Sequence, residues 1–387
     1  MTKEEKQDLV QKAALKAWKE GGEWGLLAMA TGTGKTRVAV DAVSELLSGP
    51  GSALKNIVLA VPTEKLRDNN WQDEFIKWGC EKEYESLDRK CYASILTVSN
   101  QVIDLLILDE GHSLTDLSSQ VFTKNSIKRL LVLSATPPDP KGNQTDQEKV
   151  QLFKQYRIKT DFYYPLEQAR KDGLAPKAEL YIVETTLDNS VKYIEAGSKA
   201  NRFLQTEQQR YEFLSKQIRQ LMISKKVDVV KFKSMERRRL IANSISKKDT
   251  VKRLIARFAP GNRTLVFGGG IAQIEELLPG ASYHSKSGKA GHQALADFQA
   301  KLRDILGCVD GLNEGMNLVE LDVGIIAQIS SVSRELVQRI GRFRIRPNHV
   351  PVIFIVICVG TQDEEWLKTA LNGLGDIEIK YVHAKNL

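Results

Sequence analysis

Ala30-Thr31-Gly32-Thr33-Gly34-Lys35-Thr36 lies between an apolar run, Leu26-Leu27-Ala28-Met29, and a helical pattern carrying Val38, Ala39, Val40, Ala42, Val43, Leu46 and Leu47. A strand, a glycine-containing turn and a helix form the context of a phosphate-binding loop. Glycines let backbone N–H groups curl around phosphate oxygens, and the helix N-terminus adds partial positive charge. In such a loop Thr31, Gly32, Thr33 and Gly34 surround the phosphates. Lys35 reaches the outer ones, and the Thr36 hydroxyl sits on Mg²⁺. One departure is visible: the full G-x-x-x-x-G-K-[ST] pattern calls for Gly at position 29, where this chain has Met29.

Outward from this loop the chain alternates strands with helices. Residues 57–61 (IVLAV, ended by Pro62) and 130–133 (LLVL) are short continuous apolar runs, the pattern of buried parallel strands. Residues 94–98 and 102–108 read as further strands, and residues 4–20 and 64–78 as helices. Alternating strands and helices indicate a parallel α/β sheet. Ligands of such sheets bind just beyond the carboxyl ends of the strands. Three polar clusters follow that rule: the loop above, Asp109-Glu110-Gly111-His112, and Ser134-Ala135-Thr136. Asp109 and Glu110 come about seventy-five residues after Lys35. In nucleotide hydrolysis one such carboxylate holds Mg²⁺ and the next orients and deprotonates the attacking water. Residues 141–158 are polar and read as a loop.

A length of 387 residues suggests two or three domains, and 42% hydrophobic with 27% charged residues describes an ordinary globular chain. No apolar run approaches the roughly 20 residues of a membrane span. The first residues, MTKEEKQDLVQKAALKAW, read as a charged amphipathic helix rather than a signal peptide. Cys80, Cys91, Cys308 and Cys358 have neither zinc nor disulfide spacing, which suits reduced thiols in a cytoplasm. The net charge of +8 favours a polyanionic partner.

Residues 188–257 are poor in Gly and Pro, helical in pattern, and carry 18 Lys/Arg against 7 Asp/Glu. Two readings apply, a solvated helical arm or a connector touching nucleic-acid phosphates. On a helix, Lys233 and Arg237 share a face, as do Lys248 and Lys252. A second α/β run starts at Thr264-Leu265-Val266-Phe267, closes in Gly268-Gly269-Gly270, and ends in the β-branched stretch 350–359. Within it Arg339, Arg342, Arg344 and Arg346 form an arginine set. Arginines on a different domain from the loop can supply charge to a γ-phosphate, with ATP in the cleft.

This order of motifs resembles a superfamily 2 helicase of the DExH type, and within it the XPB-like and phage-encoded group. The pieces are Gln11 (adenine-reading), residues 30–36 (motif I), VPTEKL at 61–66 (Ia), DEGH at 109–112 (II) and SAT at 134–136 (III). LVFGGG at 265–270 (IV), LNEGMN at 312–317 (V) and QRIGRFRIR at 338–346 (VI) complete it. The resemblance implies two RecA-like parallel-sheet α/β domains, 1–180 and 258–387, with a basic helical connector, 181–257, between them. It implies an ATP- and Mg²⁺-dependent nucleic-acid motor, with DNA favoured over RNA, working as a monomer in replication or recombination. Lys35, Thr36, Asp109 and Glu110 match the ATP and Mg²⁺ machinery, joined at the nucleotide by Gln11, Gly315 and Asn317. Ser134 and Thr136 match the coupling motif. Gln338, Arg339 and Arg342 match motif VI, with Arg342 as the finger, while its usual third basic position falls on Ile345. Pro62, Thr63, Gly268, His284, Ser285, Lys233 and Arg237 are the expected nucleic-acid contacts. Two other readings stay open, a double-strand translocase of restriction type and a nucleotide switch that ignores nucleic acid.

Overall fold

The computed structural model describes the chain except residues 50–54, 65, 143, 176, 199–200, 310–319, 331–335, 337–338, 341–342, 344–348, 372–373 and 375–376. Contacts divide the chain into two compact units, the first ending at residue 176 and the second starting at Lys177. Among the described residues no helix is long and apolar enough to cross a membrane.

In the first unit, helix α1 (Lys3–Glu20) opens on a capping box, with Thr2 and Glu5 satisfying each other's backbone N–H groups. Strand β1 (Trp24–Met29) leads through the glycine loop into α2 (Lys35–Ser48). There follow β2 (Ile57–Val61), β3 (Asp88–Cys91), β4 (Val102–Ile103), β5 (Leu105–Leu108), β6 (Ser126–Ile127), β7 (Leu130–Ser134) and β8 (Lys159–Tyr164). Six of them form one parallel sheet in the order β3-β2-β5-β7-β1-β8, and β4 pairs with β6 beside it. Strands β2, β5 and β7 are buried along their whole length, which is why they read as unbroken apolar runs.

Two readings of this unit change. Residues Ile95–Thr97 form a 3₁₀ turn, and the neighbouring strand is β3, whose sequence Asp88-Arg89-Lys90-Cys91 carries little apolar signal because it lies at the sheet edge. The stretch expected to be a loop holds a helix, Gln144–Gln155, because Leu152 and Phe153 bury into the core. Tertiary packing there outweighs a polar composition.

The second unit holds β9 (Glu179–Thr185), a ribbon of β10 (Ile194–Ser198) with β11 (Asn201–Gln205), and three helices, Glu207–Ile223, Val227–Ala242 and Ile245–Phe258. Then come β12 (Thr264–Phe267), β13 (Ser282–Tyr283), β14 (Ile305–Cys308), β15 (Val323–Ile326), β16 (Val352–Cys358) and β17 (Ile379–His383). Its sheet runs β13-β14-β12-β15-β16-β9-β17, with every pair parallel. The expected boundary at residue 180 therefore falls inside β9. The segment 181–257 is not a separate layer: Val183 of β9 and Val251 and Leu254 of the last helix share a core with Val266 and Val356. Its ribbon was also read as helix, since five-residue strands rich in polar residues leave no period-2 signal.

Candidate active site

Strands β5, β7 and β1 are consecutive in the first sheet, so the three polar clusters that follow them emerge at one edge. Leu108 is opposite Val132, and Ser134 opposite Ala28, which fixes their register. Nothing in the sequence order brings these clusters together; parallel pairing does.

In the loop, Gly34 adopts φ +91° and caps α2. A Cβ there would stand 1.9 Å from Nε2 of Gln11, so only glycine fits both the backbone and its neighbour. Gln11 is buried, and its amide donates to the Thr33 carbonyl at 3.2 Å. Gln7 donates to the Gly32 carbonyl at 3.4 Å, so α1 braces the loop from behind. Thr33 is fully buried, its hydroxyl bonded to the Ala30 carbonyl at 2.7 Å. It holds the loop's shape and points inward. Lys35 and Thr36 begin α2, where backbone N–H groups lack partners within the helix. The Lys35 ammonium donates to the Met29 carbonyl at 3.2 Å, folded back on the end of β1. Thr31 is half-buried beside it.

Asp109 follows β5 and is buried. Its two carboxylate oxygens accept from the Trp71 indole at 2.8 Å and the Glu110 N–H at 2.9 Å. Burial, and then the Glu110 carboxylate beside it, push the Asp109 carboxyl well above the usual carboxylate range, against the pull of Trp71 and Lys35. Glu110 itself has φ +47°, a left-handed conformation that costs a non-glycine residue about 1–3 kcal/mol. Its Oε2 is buried without a hydrogen bond. His112 Nδ1 lies 3.3 Å from that oxygen and 3.1 Å from Ser134 Oγ. The Ser134 hydroxyl spends its one proton on the Thr136 carbonyl at 2.9 Å. His112 must then be the donor to Ser134, which puts its proton on Nδ1. Thr136 returns its N–H to Ser134 Oγ at 3.2 Å, while its own hydroxyl is buried without a partner. Clusters two and three are thus one hydrogen-bonded unit.

ATP with Mg²⁺ fits this donor set. Two crowded carboxylates, one with an orphaned oxygen, are short of positive charge. Among the described residues no group of three His, Cys, Asp or Glu side chains could hold a metal alone. A cation held by Asp109, the Thr36 hydroxyl and phosphate oxygens suits Mg²⁺, which takes few protein ligands.

Trp71 and Tyr92 are the residues that sequence reading missed. Trp71 lies within the stretch 64–78 read as a helix; Tyr92 donates to the Asp109 carbonyl at 2.9 Å. An indole beside a carboxylate 38 positions away leaves no sequence signal.

The remaining expected residues lie apart or outside the described residues. Gln338, Arg342, Gly315 and Asn317 fall outside the described residues, as do Arg344, Ile345 and Arg346. Arg339 is buried in the second unit, donating to the Gln328 carbonyl at 3.1 Å with its guanidinium 5.2 Å from the Phe267 ring centre. Pro62 is half-buried after β2, and exposed Thr63 caps the next turn through its hydroxyl and carbonyl. Gly268 continues the β12 ladder to Cys308. His284 is buried against Glu275 at 3.1 Å, next to exposed Ser285. Lys233 pairs with Glu236 at 2.8 Å, and Arg237 bonds Ser215 at 3.1 Å and also Gln362. Both cations are committed to protein partners.

The sequence of the first unit matches the family "Type III restriction enzyme, res subunit" over residues 2–139, and that of the second matches "Helicase conserved C-terminal domain" over residues 246–346. Together these domains indicate a superfamily 2 helicase. They imply an ATPase of the helicase type, a family of ATP-dependent motors that usually use Mg²⁺. The two parallel-sheet bodies match RecA-like helicase folds. Dbp5 of S. cerevisiae, solved with RNA and ADP BeF3, is similar at TM-score 0.61 and 12% identity, over 97% of this chain and 90% of that one. The type ISP restriction-modification enzyme LlaBIII, solved with DNA, gives 0.58 and 15%, over 97% of this chain but only 31% of its own. A fragment described as an HsdR subunit of a type I restriction enzyme from Vibrio vulnificus YJ016 gives 0.61 and 17%, over 98% and 68%. No curated protein matches the sequence.

Proposed function

We propose that this chain is a nucleic-acid-stimulated ATPase that moves along or separates DNA strands. The observation that carries the reading is the joined edge of β1, β5 and β7. There a glycine loop, a crowded carboxylate pair and a Ser/Thr relay meet, with a buried Glu110 oxygen that makes no hydrogen bond.

In this reading Lys35 and the α2 N-terminus hold the phosphates, and Thr36 with Asp109 holds Mg²⁺, whose charge offsets the crowded carboxylates. Glu110 Oε2 orients water and accepts its proton. His112 links that event to Ser134 and Thr136. Arg342 serves as the arginine finger, with Gln338 beside it in motif VI, while Arg339 positions that segment from within the second unit. DNA is favoured because the first-unit family is a restriction-enzyme subunit and LlaBIII was solved with DNA. Dbp5 was solved with RNA, so RNA belongs in the test. The finer kinship with XPB-like and phage-encoded helicases, and a role in replication or recombination, rest on the motif sequences alone.

A second reading, translocation on duplex DNA without unwinding, is favoured by the restriction-type family. ATPase rates with single-stranded, duplex and forked DNA and with RNA, run beside strand-separation and triplex-displacement assays, decide between them. Forked DNA giving both stimulation and separation supports the helicase. Triplex displacement without separation supports the translocase, and a rate indifferent to all four nucleic acids contradicts both.

A further inference from the structure

The second unit carries a groove of about 550 Å³ away from the residues assigned above. Its floor is the carboxyl end of the last two strands of the sheet, where Thr185 ends β9, Thr186 follows it, and the turn Ala384–Asn386 follows β17. Its wall is the helix Ile245–Phe258, whose Val251 and Leu254 face the core and whose Ser246, Asp249 and Arg253 lie towards the groove.

The charges of the wall are divided by partnership. Lys247 is buried against Asp363, and Lys248 pairs with Glu276 at 2.8 Å. Lys252, Arg253 and Lys385 are exposed, line the groove, and make no side-chain ion pair or hydrogen bond among the described residues. Three cations thus face one carboxylate, Asp249. His383 adds a directed donor. Its Nδ1 accepts the Lys385 N–H at 3.1 Å, so in the neutral ring Nε2 carries the proton. Thr186 supplies a hydroxyl from the floor and Ser246 one from the wall. Exposed cations with interleaved hydroxyls and no aromatic platform suit a repeating anion and carry no base-reading element.

We propose that this groove is a track for the sugar–phosphate backbone of a single strand, in which Lys252, Arg253 and Lys385 neutralise successive phosphates. It extends the motor reading to a surface outside the helicase motifs, and rests on that reading only for the identity of the polyanion. A small polyphosphate shares the same chemistry, so both ligands enter the test.

The experiment measures oligothymidylate affinity against salt, without nucleotide, for the intact chain and for Lys252→Ala/Lys385→Ala. Each cation that neutralises a single-strand phosphate contributes about 0.7 to the log–log slope. The double variant should lose about 1.4 of slope, and Lys252→Arg/Lys385→Arg should keep it. Lys248→Ala, which breaks a pair on the same helix, should leave the slope alone. An unchanged slope in the double Ala variant, with the intact chain binding normally, overturns the groove and leaves the motor reading standing. No oligothymidylate binding by the intact chain also overturns the groove, while the motor reading falls only if ATPase rates are indifferent to single-stranded, duplex and forked DNA and to RNA. Tripolyphosphate binding that depends on Lys252 and Lys385, with oligonucleotide binding that does not, makes the groove a small-anion site and overturns the track.

Discussion

Each unit buries a polar centre at the carboxyl edge of its sheet, and the two are finished differently. In the second unit, Lys247 and Asp363 are fully buried and 2.6 Å apart. Lys247 also donates to Gln328 at 2.8 Å, and Asp363 accepts from Gln328 at 3.0 Å and from the Cys358 N–H at 3.1 Å. Both charges and the amide between them are satisfied. In the first unit the centre of Asp109, Glu110, His112 and Ser134 keeps a buried Glu110 oxygen and a buried Thr136 hydroxyl that make no hydrogen bond, with Glu110 on a strained backbone. An ion pair closed on all sides fixes structure. A carboxylate left open in a crowded pair retains capacity for a proton, a water or a cation.

The largest effect should separate the two motif VI arginines. Arg342→Ala should slow ATP hydrolysis at saturation about a thousandfold, on the scale of arginine fingers. Arg339→Ala should instead lower the stability of the second unit, since that guanidinium is bonded to the Gln328 carbonyl. Equal turnover losses with equal stability would erase the distinction. Next in size is the closed centre itself. Lys247→Met leaves Asp363 buried and unpaired and should cost about 3–5 kcal/mol in urea unfolding, much of it recovered in Lys247→Met/Asp363→Leu. A double variant no more stable than the single one would mean the pair does more than neutralise itself.

How much of this was legible beforehand follows from where the signal lies. Buried strands announce themselves by unbroken apolar runs, and the ends of β1, β5 and β7 carry motifs, so most of the first fold and the three clusters its sheet brings to one edge are legible in the sequence. The Lys247–Asp363 pair could not. Its partners are 116 positions apart, and a lysine in a basic helix looks like solvated charge until burial is known. The edge strand β3 and β9, which lies one strand in from the edge of its sheet, are obscured in the same way, by polar residues at partly exposed positions.

Gly111 illustrates a middle case. The sequence places it between the carboxylate pair and His112, and the structure gives a reason for a glycine there: a Cβ would lie 2.2 Å from Val132 Cγ1. Gly111→Ala should therefore cost about 1–3 kcal/mol by overpacking, and less in a Val132→Ala background. Equal costs in both backgrounds would assign the glycine to something other than β7.

The smallest effect concerns Asp161, a carboxylate of the first unit far from the motifs. It is folded over Gly21 and Gly25, with Oδ2 buried and unpartnered, and burial pushes its carboxyl up to about 6. The folded state holds this proton more tightly than the unfolded one, so the stability it contributes is present below about pH 4 and is lost as pH rises towards 6. Asp161→Asn should remove that slope and gain most over the wild type at neutral pH. Parallel stability–pH curves for the two proteins would refute this.

The central claim is that the open centre is the one that does chemistry, through Glu110. Glu110→Gln keeps the shape and removes the proton acceptor. With saturating ATP and DNA, hydrolysis should fall by about 10²–10⁴-fold, the range of general-base catalysis, while affinity for a non-hydrolysable ATP analogue stays within a few-fold. Turnover near the wild-type rate in that variant, with the analogue still bound, would contradict the account.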